Sequence, residues 1–502
     1  MKFGFGTSAV MACVTLAALI VAGSKAEAEL TVVENADGQQ GLTVFKMTVT
    51  PAAAPIPAFK YRLVPSPLEM KSGNAALHYL RAALGAGGFS ARWKEVEQQW
   101  IDEGRPDAEK AEWHSPVRSL RDLPLEKVRA AAGVFDAIVE QCIARATVRE
   151  DCDWGHHLEE LEGLDVIGLL LPDVQEMRQI SRMLMLRTRL AIADGDYDRA
   201  IDHLRMNYRL GQNVASDPIL VCGLVGIATA SLSNFELPEL IAAKNSPNLY
   251  WALAELPRPF IDLYPATRFE LSWGTKIFSV LFDPENQEHS PEEWARLLAK
   301  SLEDMQRAGN GSPHFSEGSM RLAVVGFGLL AYPDAKQRLL ASGMDAGEIE
   351  RMPVGQVIAI DAAREYRRIA QEFEKWWYTP FSVARERGAD PDGFLRDRFQ
   401  GGYGRILASL MMPALSSVRN AQMRLDWHLN ALQTVEAIRM HAAEAGTLPQ
   451  SLAEIKVVPV PKNPVTEQDF KYRLDGDTAV LELPASDGFP GVAWRFEIKL
   501  AK

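Results

Sequence analysis

The sequence predicts a mainly α protein. A multi-helix body is flanked by a short N-terminal β segment and by a small C-terminal antiparallel sheet packed on a long helix. Three observations predict this. Apolar residues recur at steps of three and four through more than three hundred central residues. Both ends instead carry short β-branched or alternating stretches. Pro, Gly and Asp punctuate the joints between the two kinds of segment.

Composition agrees. The 502 residues are 47% hydrophobic and 24% charged, which excludes a disordered, collagen-like or disulfide-dense chain. A chain of this length exceeds what one hydrophobic core serves and predicts about two to four domains. The formal charge of −12 and pI of about 5.4 argue against nucleic acid as a partner, because phosphate recognition needs an excess of Lys and Arg.

Taken in order, residues 1–28 are expected to be a secretory signal peptide. Lys2 precedes an uncharged apolar run, Ala9 to Gly23, and Ala26-Glu27-Ala28 offers small residues for cleavage between Ala28 and Glu29. The run is too short for a comfortable membrane span. An uncleaved anchor and a lipoprotein box ending at Cys13 are the alternatives. The mature chain is expected to be exported to the periplasm or cell envelope with no stable transmembrane span.

Residues 29–73 form a β and Pro-rich leading segment. LTVVEN and LTVFKMTV are β-like and are joined by an Asp37-Gly38 turn, after which Pro51 to Pro67 carries five prolines and must run extended as a strap. Residues 74–403 are helical, with a sub-boundary near 245–260. Helices are expected at 125–146, 173–192, 197–214, 248–256, 291–306, 320–341 and 355–377. Pro218 to Ser233 is expected as a buried helix. A long helix over 405–445 opens the last unit, 404–502. Strands at 470–474, 478–483 and 492–500 close it as an antiparallel sheet.

Two resemblances add to this reading. Ala193 to Leu204, with Tyr197, Ala200 and Leu204 at packing positions, resembles the second-helix half of a tetratricopeptide repeat; Arg187-Thr188 stands where the first helix would carry Leu-Gly. That implies a helical hairpin and no repeat array. The last hundred residues resemble a type II secretion pseudopilin body: a helix, the turn Gly446-Thr-Leu-Pro449 with Ser451-Leu452, the Asn463-Pro464 loop and the strand Phe470-Lys-Tyr472. Gly446 is suited to end the helix and Pro449 to stop its restart. Asn74-Ala75-Ala76, the Cys152-Asp-Trp154 turn and this tail together are similar to an uncharacterised family of large exported proteins from planctomycete-type bacteria, to which no activity is attached.

The densest group of potential ligands is Cys152, His156, His157 and Glu160. Thiolate, imidazole and carboxylate together suit Zn²⁺, but the spacing matches no established zinc motif, and a solvated helix start is the competing reading. No metal site or cofactor is expected. Cys142 and Cys152 are candidates for a disulfide in an exported protein, with Cys222 as a buried thiol. Gly326-Phe-Gly-Leu-Leu-Ala331 matches a dinucleotide fingerprint without the strand that fingerprint needs; close helix approach is the alternative role for its glycines. Arg178, Arg182 and Arg189 stand as a row that would meet an anionic partner or serve as ordinary ion-pair partners. His203 is a further residue whose convergence with the 152–160 group would matter.

No nucleophile motif is present in credible context, so catalytic residues stay unassigned. The expected function is an exported, non-enzymatic scaffold or protein-binding protein of the cell envelope, whose partner is another envelope protein. The alternatives are an envelope hydrolase with a metal-assisted site near Cys152 to Glu160, and a secretion accessory acting through the C-terminal unit.

Overall fold

The computed structural model describes residues 29–84, 94–95, 98, 113–160, 172–308, 317–387, 402–411, 413–489 and 491–501. The expected signal peptide, with Ala28 of its cleavage site, lies outside them. The chain is mainly α with a small mixed sheet. Strands β1 (Glu29–Glu34) and β2 (Leu42–Val49) are followed by the Pro-rich strap, the short β3 (Lys71–Asn74) and α1 (Ala75–Leu84). After α2 (Leu125–Gly133) and β4 (Arg149–Asp151) come three long helices: α3 (Pro172–Ala193), α4 (Tyr197–Val214) and α5 (Leu220–Ala242). A second helical group holds α6 (Tyr264–Ile277), α7 (Pro291–Ala308), α8 (Glu317–Ala341), α9 (Val354–Glu374) and α10 (Tyr403–Met411). The chain ends with α11 (Pro413–Ala445), β5 (Lys471–Asp475), β6 (Thr478–Leu483) and β7 (Ala493–Leu500).

The helix from 125 to 146 is broken where one continuous helix is expected. It stops at Gly133, and the following stretch contains a π turn over Val139–Ile143. The helix from Leu220 is longer than expected and carries Pro238 inside it. It is the one helix among the described residues long and apolar enough to cross a bilayer, yet 67% of its most apolar window is buried within the protein. Gly446, at φ +72°, ends α11 as its sequence position predicts.

Glycine governs one helix contact. The α4–α5 pair is so close that a Cβ at Gly226 would lie 2.5 Å from the Gly211 carbonyl oxygen, and one at Gly211 would lie 2.9 Å from that of Gly226. Asn207 can therefore reach across to donate to the Thr229 carbonyl and to Ser233 Oγ, both at 2.8 Å. Gly326 and Gly328 behave differently. They lie within α8, preceded by helix instead of a strand, and a Cβ on either would meet no described atom within 4 Å. Among the described residues no helix packs closely on either glycine, and the strand that a dinucleotide fingerprint needs does not precede them.

The sheet departs most from expectation. The strand order is β1-β2-β7-β6-β5, so the leading hairpin and the C-terminal strands form one five-stranded sheet. β5, β6 and β7 are antiparallel as expected, but β2 pairs with β7 in parallel, from Leu42↔Ala493 to Val49↔Leu500. The reason is burial on both faces. Val44 and Phe45, neighbours on β2, are each fully buried, which suits an interior strand and not one side of an isolated hairpin. Phe45 stacks on Phe496 of β7 with ring centroids 4.8 Å apart. Beneath the sheet, His428 of α11 stacks on Trp494 at 4.4 Å and meets Phe235 of α5 edge-on at 5.1 Å. Burial pushes the His428 imidazole down to about 3, so it sits in this aromatic layer as a neutral ring.

α11 also holds the strap and the turn after α5. Arg439 and Glu436 are both fully buried and paired at 2.8 Å. Arg439 donates to the carbonyls of Thr50 (3.1 Å) and Ser246 (3.0 Å), and the Arg439 carbonyl accepts from the Ala52 amide (3.3 Å). Glu436 accepts from the Leu249 amide at 2.9 Å and from Asn248 Nδ2 at 3.0 Å. Burial pushes the Glu436 carboxyl up, and Arg439 opposes that shift.

Removing one partner leaves an uncompensated buried charge. Arg439→Met should cost about 3–5 kcal/mol in equilibrium urea unfolding, and adding Glu436→Gln should recover part of the loss. A single-variant cost below about 1 kcal/mol would mean that the pair organises nothing.

Candidate functional site

The loop expected to carry chemistry, residues 151–160, is stapled in place from both sides. Asn74, at the start of α1, donates to the Asp153 carbonyl at 2.6 Å and accepts from the Asp153 amide at 2.9 Å. Trp154 stacks on Tyr79 of α1 with centroids 5.9 Å apart, and its Nε1 donates to the Asn213 carbonyl at 2.8 Å. Asn213 in turn donates to the Tyr79 hydroxyl at 3.1 Å. Ser216, in the turn after α4, donates to the Cys152 carbonyl at 2.8 Å. The left-handed backbone at Gly155 and His157 then bends the chain into a short 3₁₀ turn over Leu158–Glu160.

The ligand candidates do not form a metal centre here. No group of three or more His, Cys, Asp or Glu side chains suited to a metal occurs among the described residues. His156 instead pairs through Nδ1 with Asp217, a partner the sequence reading did not identify. Burial pushes the Cys152 thiol up to about 12, with Ser216 bonding opposing the shift and the Asp217 charge adding to it. A thiol held so far above neutrality is protonated and a poor nucleophile. Cys142 and Cys152 are both free thiols, so the 142–152 pair is not bridged in this structure.

His203 belongs to a different place. It is buried on α4 and accepts from Arg187 Nε at 3.4 Å. Asp217 lies past the far end of the same helix, at least ~16 Å along its axis by helical rise, so His203 and His156 serve separate sites. A cavity of about 230 Å³ opens beside His203, lined by Arg129, Arg187 and Arg199 together with Asp136, Asp194 and Asp196. Its charges are already matched. Arg129 grips Asp194 through two 2.8 Å bonds, Arg187 bonds Asp136, and Arg199 lies 3.7 Å from Asp196.

The larger cleft lies on the other side of the α3–α4 turn. Its volume is about 470 Å³, and its walls are the strap (Ala52, Pro55, Ile56, Lys60, Tyr61), the turn Gly195 to Asp198 and the 245–248 bend. Each wall is fixed. Asp196 caps α4 by accepting from the Arg199 amide at 3.1 Å. Tyr197 donates to the Lys244 carbonyl at 2.6 Å, and Asn248 donates to the Ala52 carbonyl at 3.2 Å. Of the strap residues that line it, Ile56 is 94% exposed; Phe59, three residues on, is 46% exposed and lies under the Arg62 guanidinium at 4.8 Å. The Lys60 ammonium sits 5.0 Å over the Tyr61 ring, and its pKa is raised by the Tyr61 hydroxyl and by Asp198. This cleft offers backbone polar groups, two carboxylates and exposed apolar side chains.

Sequence reasoning identified the strap and the Asp194-Gly195 break separately. It had no signal that the two face each other, because that juxtaposition depends on Arg439 and Asn248, far apart in the chain. The Arg178–Arg182–Arg189 row also resolves differently along its length: Arg189 is fully buried against Glu239 at 3.2 Å. No protein-family model, curated protein or solved structure matches this chain.

Cys152 supplies the test of the loop. It should resist alkylation by iodoacetamide in the native protein at neutral pH and react once the chain is unfolded, as mass spectrometry of the labelled peptide would show. Rapid labelling of native Cys152, at the rate of a free thiolate, would instead mark it as an activated nucleophile.

Proposed function

We propose that this chain is an exported, non-enzymatic binding protein of the cell envelope, and that the cleft between the strap and the α3–α4 turn holds an extended segment of another envelope protein. One observation carries the reading. A rigidly walled cleft of about 470 Å³ lies beside side chains that a solvated strap has no internal reason to present, Ile56 above all. An extended segment matches such walls, because its own backbone amides and carbonyls pair with the exposed backbone groups of the strap while its side chains cover Ile56 and Phe59.

The hydrolase alternative rests on the His156–Asp217 pair, which has the form of an oriented imidazole. The loop's own thiol, Cys152, is held protonated by burial, and this weighs against its acting as a nucleophile there. The secretion-accessory alternative requires residues 404–502 to act as a free module. Their strand β7 uses its second edge to pair with β2 of the leading segment, so that unit does not close its own sheet.

A photo-crosslinking residue at position 56 should capture a discrete partner in intact envelopes. The same residue at the exposed position 330 of α8 should not. Asp198→Lys should reduce the capture from position 56 several-fold with unchanged thermal unfolding. Equal capture from both positions, or none from position 56, would remove the basis for a binding cleft at the strap.

A further inference from the structure

The five-stranded sheet has two edges, and the sequence treats them differently. At one edge β5 carries Lys471, Arg473 and Asp475, all exposed, among its five residues. Charge of this kind guards an edge against pairing with another strand. At the other edge β1 has no such guard between its ends. Leu30, Thr31, Val32 and Val33 are uncharged, no proline interrupts them, and the pairing with β2 runs from Glu29↔Thr48 to Glu34↔Thr43 without a bulge.

The open side of β1 follows residue by residue from the bonds of its neighbours. The Ala493 amide donates to the Gly41 carbonyl at 3.0 Å, and the Ala501 amide to the Val49 carbonyl at 2.9 Å. The odd-numbered residues from 41 to 49 therefore turn their backbone groups toward β7. The even-numbered ones face β1, where Val44, Lys46 and Thr48 bond Val33, Thr31 and Glu29. Leu30, Val32 and Glu34 are left with amide and carbonyl pointing away from the sheet, and none of these groups meets a hydrogen-bonding partner among the described residues. The side chains alternate as well. Leu30 and Val32 pack into the main core, while Thr31 is exposed and Val33 half-buried on the opposite face. A row of unpaired donors and acceptors, on a strand already fixed by packing, is a template for one more strand.

We propose that β1 pairs with β1 of a second copy of this chain, antiparallel about a two-fold axis at Val32, so that the two sheets become continuous. The strand is complementary to itself in that register. Val32 exchanges both bonds with its own counterpart, and Leu30 exchanges both with Glu34 of the other copy, so every outward group is used. On the core face the two Val32 side chains lie side by side. On the outer face Thr31 stands opposite Val33 of the other copy, and Glu29 opposite its Asn35. No carboxylate opposes another. Centring the axis on Thr31 instead would set Glu34 opposite residue 28, before the strand begins, and leave its bonds unmade. A foreign strand would have to present the same bare, alternating row. The chain already carries one, and an isologous contact uses the same patch twice. No residue of this edge lines the cleft at the strap, so the pairing stands apart from the binding role proposed for that cleft.

Sedimentation equilibrium of the full chain tests this, and a reversible monomer–dimer equilibrium is expected. Val32→Pro removes the donor on the axis. The Val32 amide is unused within the chain, and proline is tolerated on an edge strand where the N–H would face outward, so the variant should fold. Its dimer Kd should rise at least about ten-fold, since both copies lose the central bond. A chain that stays monomeric up to about 100 µM, or a dimer that Val32→Pro leaves intact, overturns the proposal. Should Val32→Pro misfold, residue-resolved hydrogen–deuterium exchange of the unaltered protein decides. The Leu30, Val32 and Glu34 amides should gain protection as the protein is concentrated, whereas those of Thr31 and Val33, already bonded to β2, should not change. Exchange at the first three amides that does not respond to concentration overturns the proposal, whether they are open throughout or covered within one chain.

Discussion

The buried Arg439–Glu436 pair is the constraint on which the rest of the architecture depends. Neither group is self-sufficient in a dry core, since each ion there requires its full complement of hydrogen bonds. The partners that complete them are backbone groups of the strap at Thr50 and of the turn at 246–249. Desolvation thus becomes a geometric instruction: α11 is buried only in the register that brings the strap and the post-α5 turn to it. Apolar contacts along α11 would tolerate several rotations of that helix. The ion pair tolerates one.

The mixed sheet follows from the same placement. Once Thr50 is held against α11, β2 immediately before it lies alongside β7, and the parallel pairing satisfies an edge that the C-terminal strands would otherwise leave open. The aromatic layer of Phe45, Phe235, His428, Trp494 and Phe496 then draws one or more residues from each of β2, α5, α11 and β7. Such a core couples the two ends of the chain to its middle. It also explains how a strap rich in proline, with few amides of its own to bond, is nevertheless rigid enough to form one wall of a cleft.

What the sequence made legible was local, and what it concealed was long-range. The 197–214 helix, the buried apolar helix after Pro218 and the Gly446 stop follow from spacing and backbone preference over a few residues. Leu42 to Val49 could be recognised as a strand, but alternation within it gives no partner. Only the burial of adjacent Val44 and Phe45 marks it as interior. The candidate loop shows the same division. Its residues stand together in sequence, yet its surroundings depend on Asp217 and Ser216, which arrive from the end of α4, and on a degree of burial that no count of Cys and His reveals. The cleft was invisible for a related reason, since its two walls are ordinary in sequence and meaningful only when opposed.

A body built from apolar stripes faces a problem of specificity more than of stability, because Leu, Met and Ala rows on neighbouring helices can interlock in more than one register. Polar groups buried between the helices resolve it. Asn207 fixes α4 on α5 through two bonds available only where Gly211 and Gly226 let the backbones touch. Tyr208, the next residue, adds a bond to Asn234 at 2.6 Å. Asp426 of α11 accepts from the Phe260 amide at 3.0 Å and Gln422 from the Leu263 amide at 2.7 Å, holding the chain before α6 against that helix. Each bond adds little net free energy when made, but leaving a buried partner unpaired costs about 1–3 kcal/mol. Several such pairs raise the energy of every alternative register while hardly changing the correct one. The Arg439–Glu436 pair, buried and balanced one to one, is where the fold is most fixed.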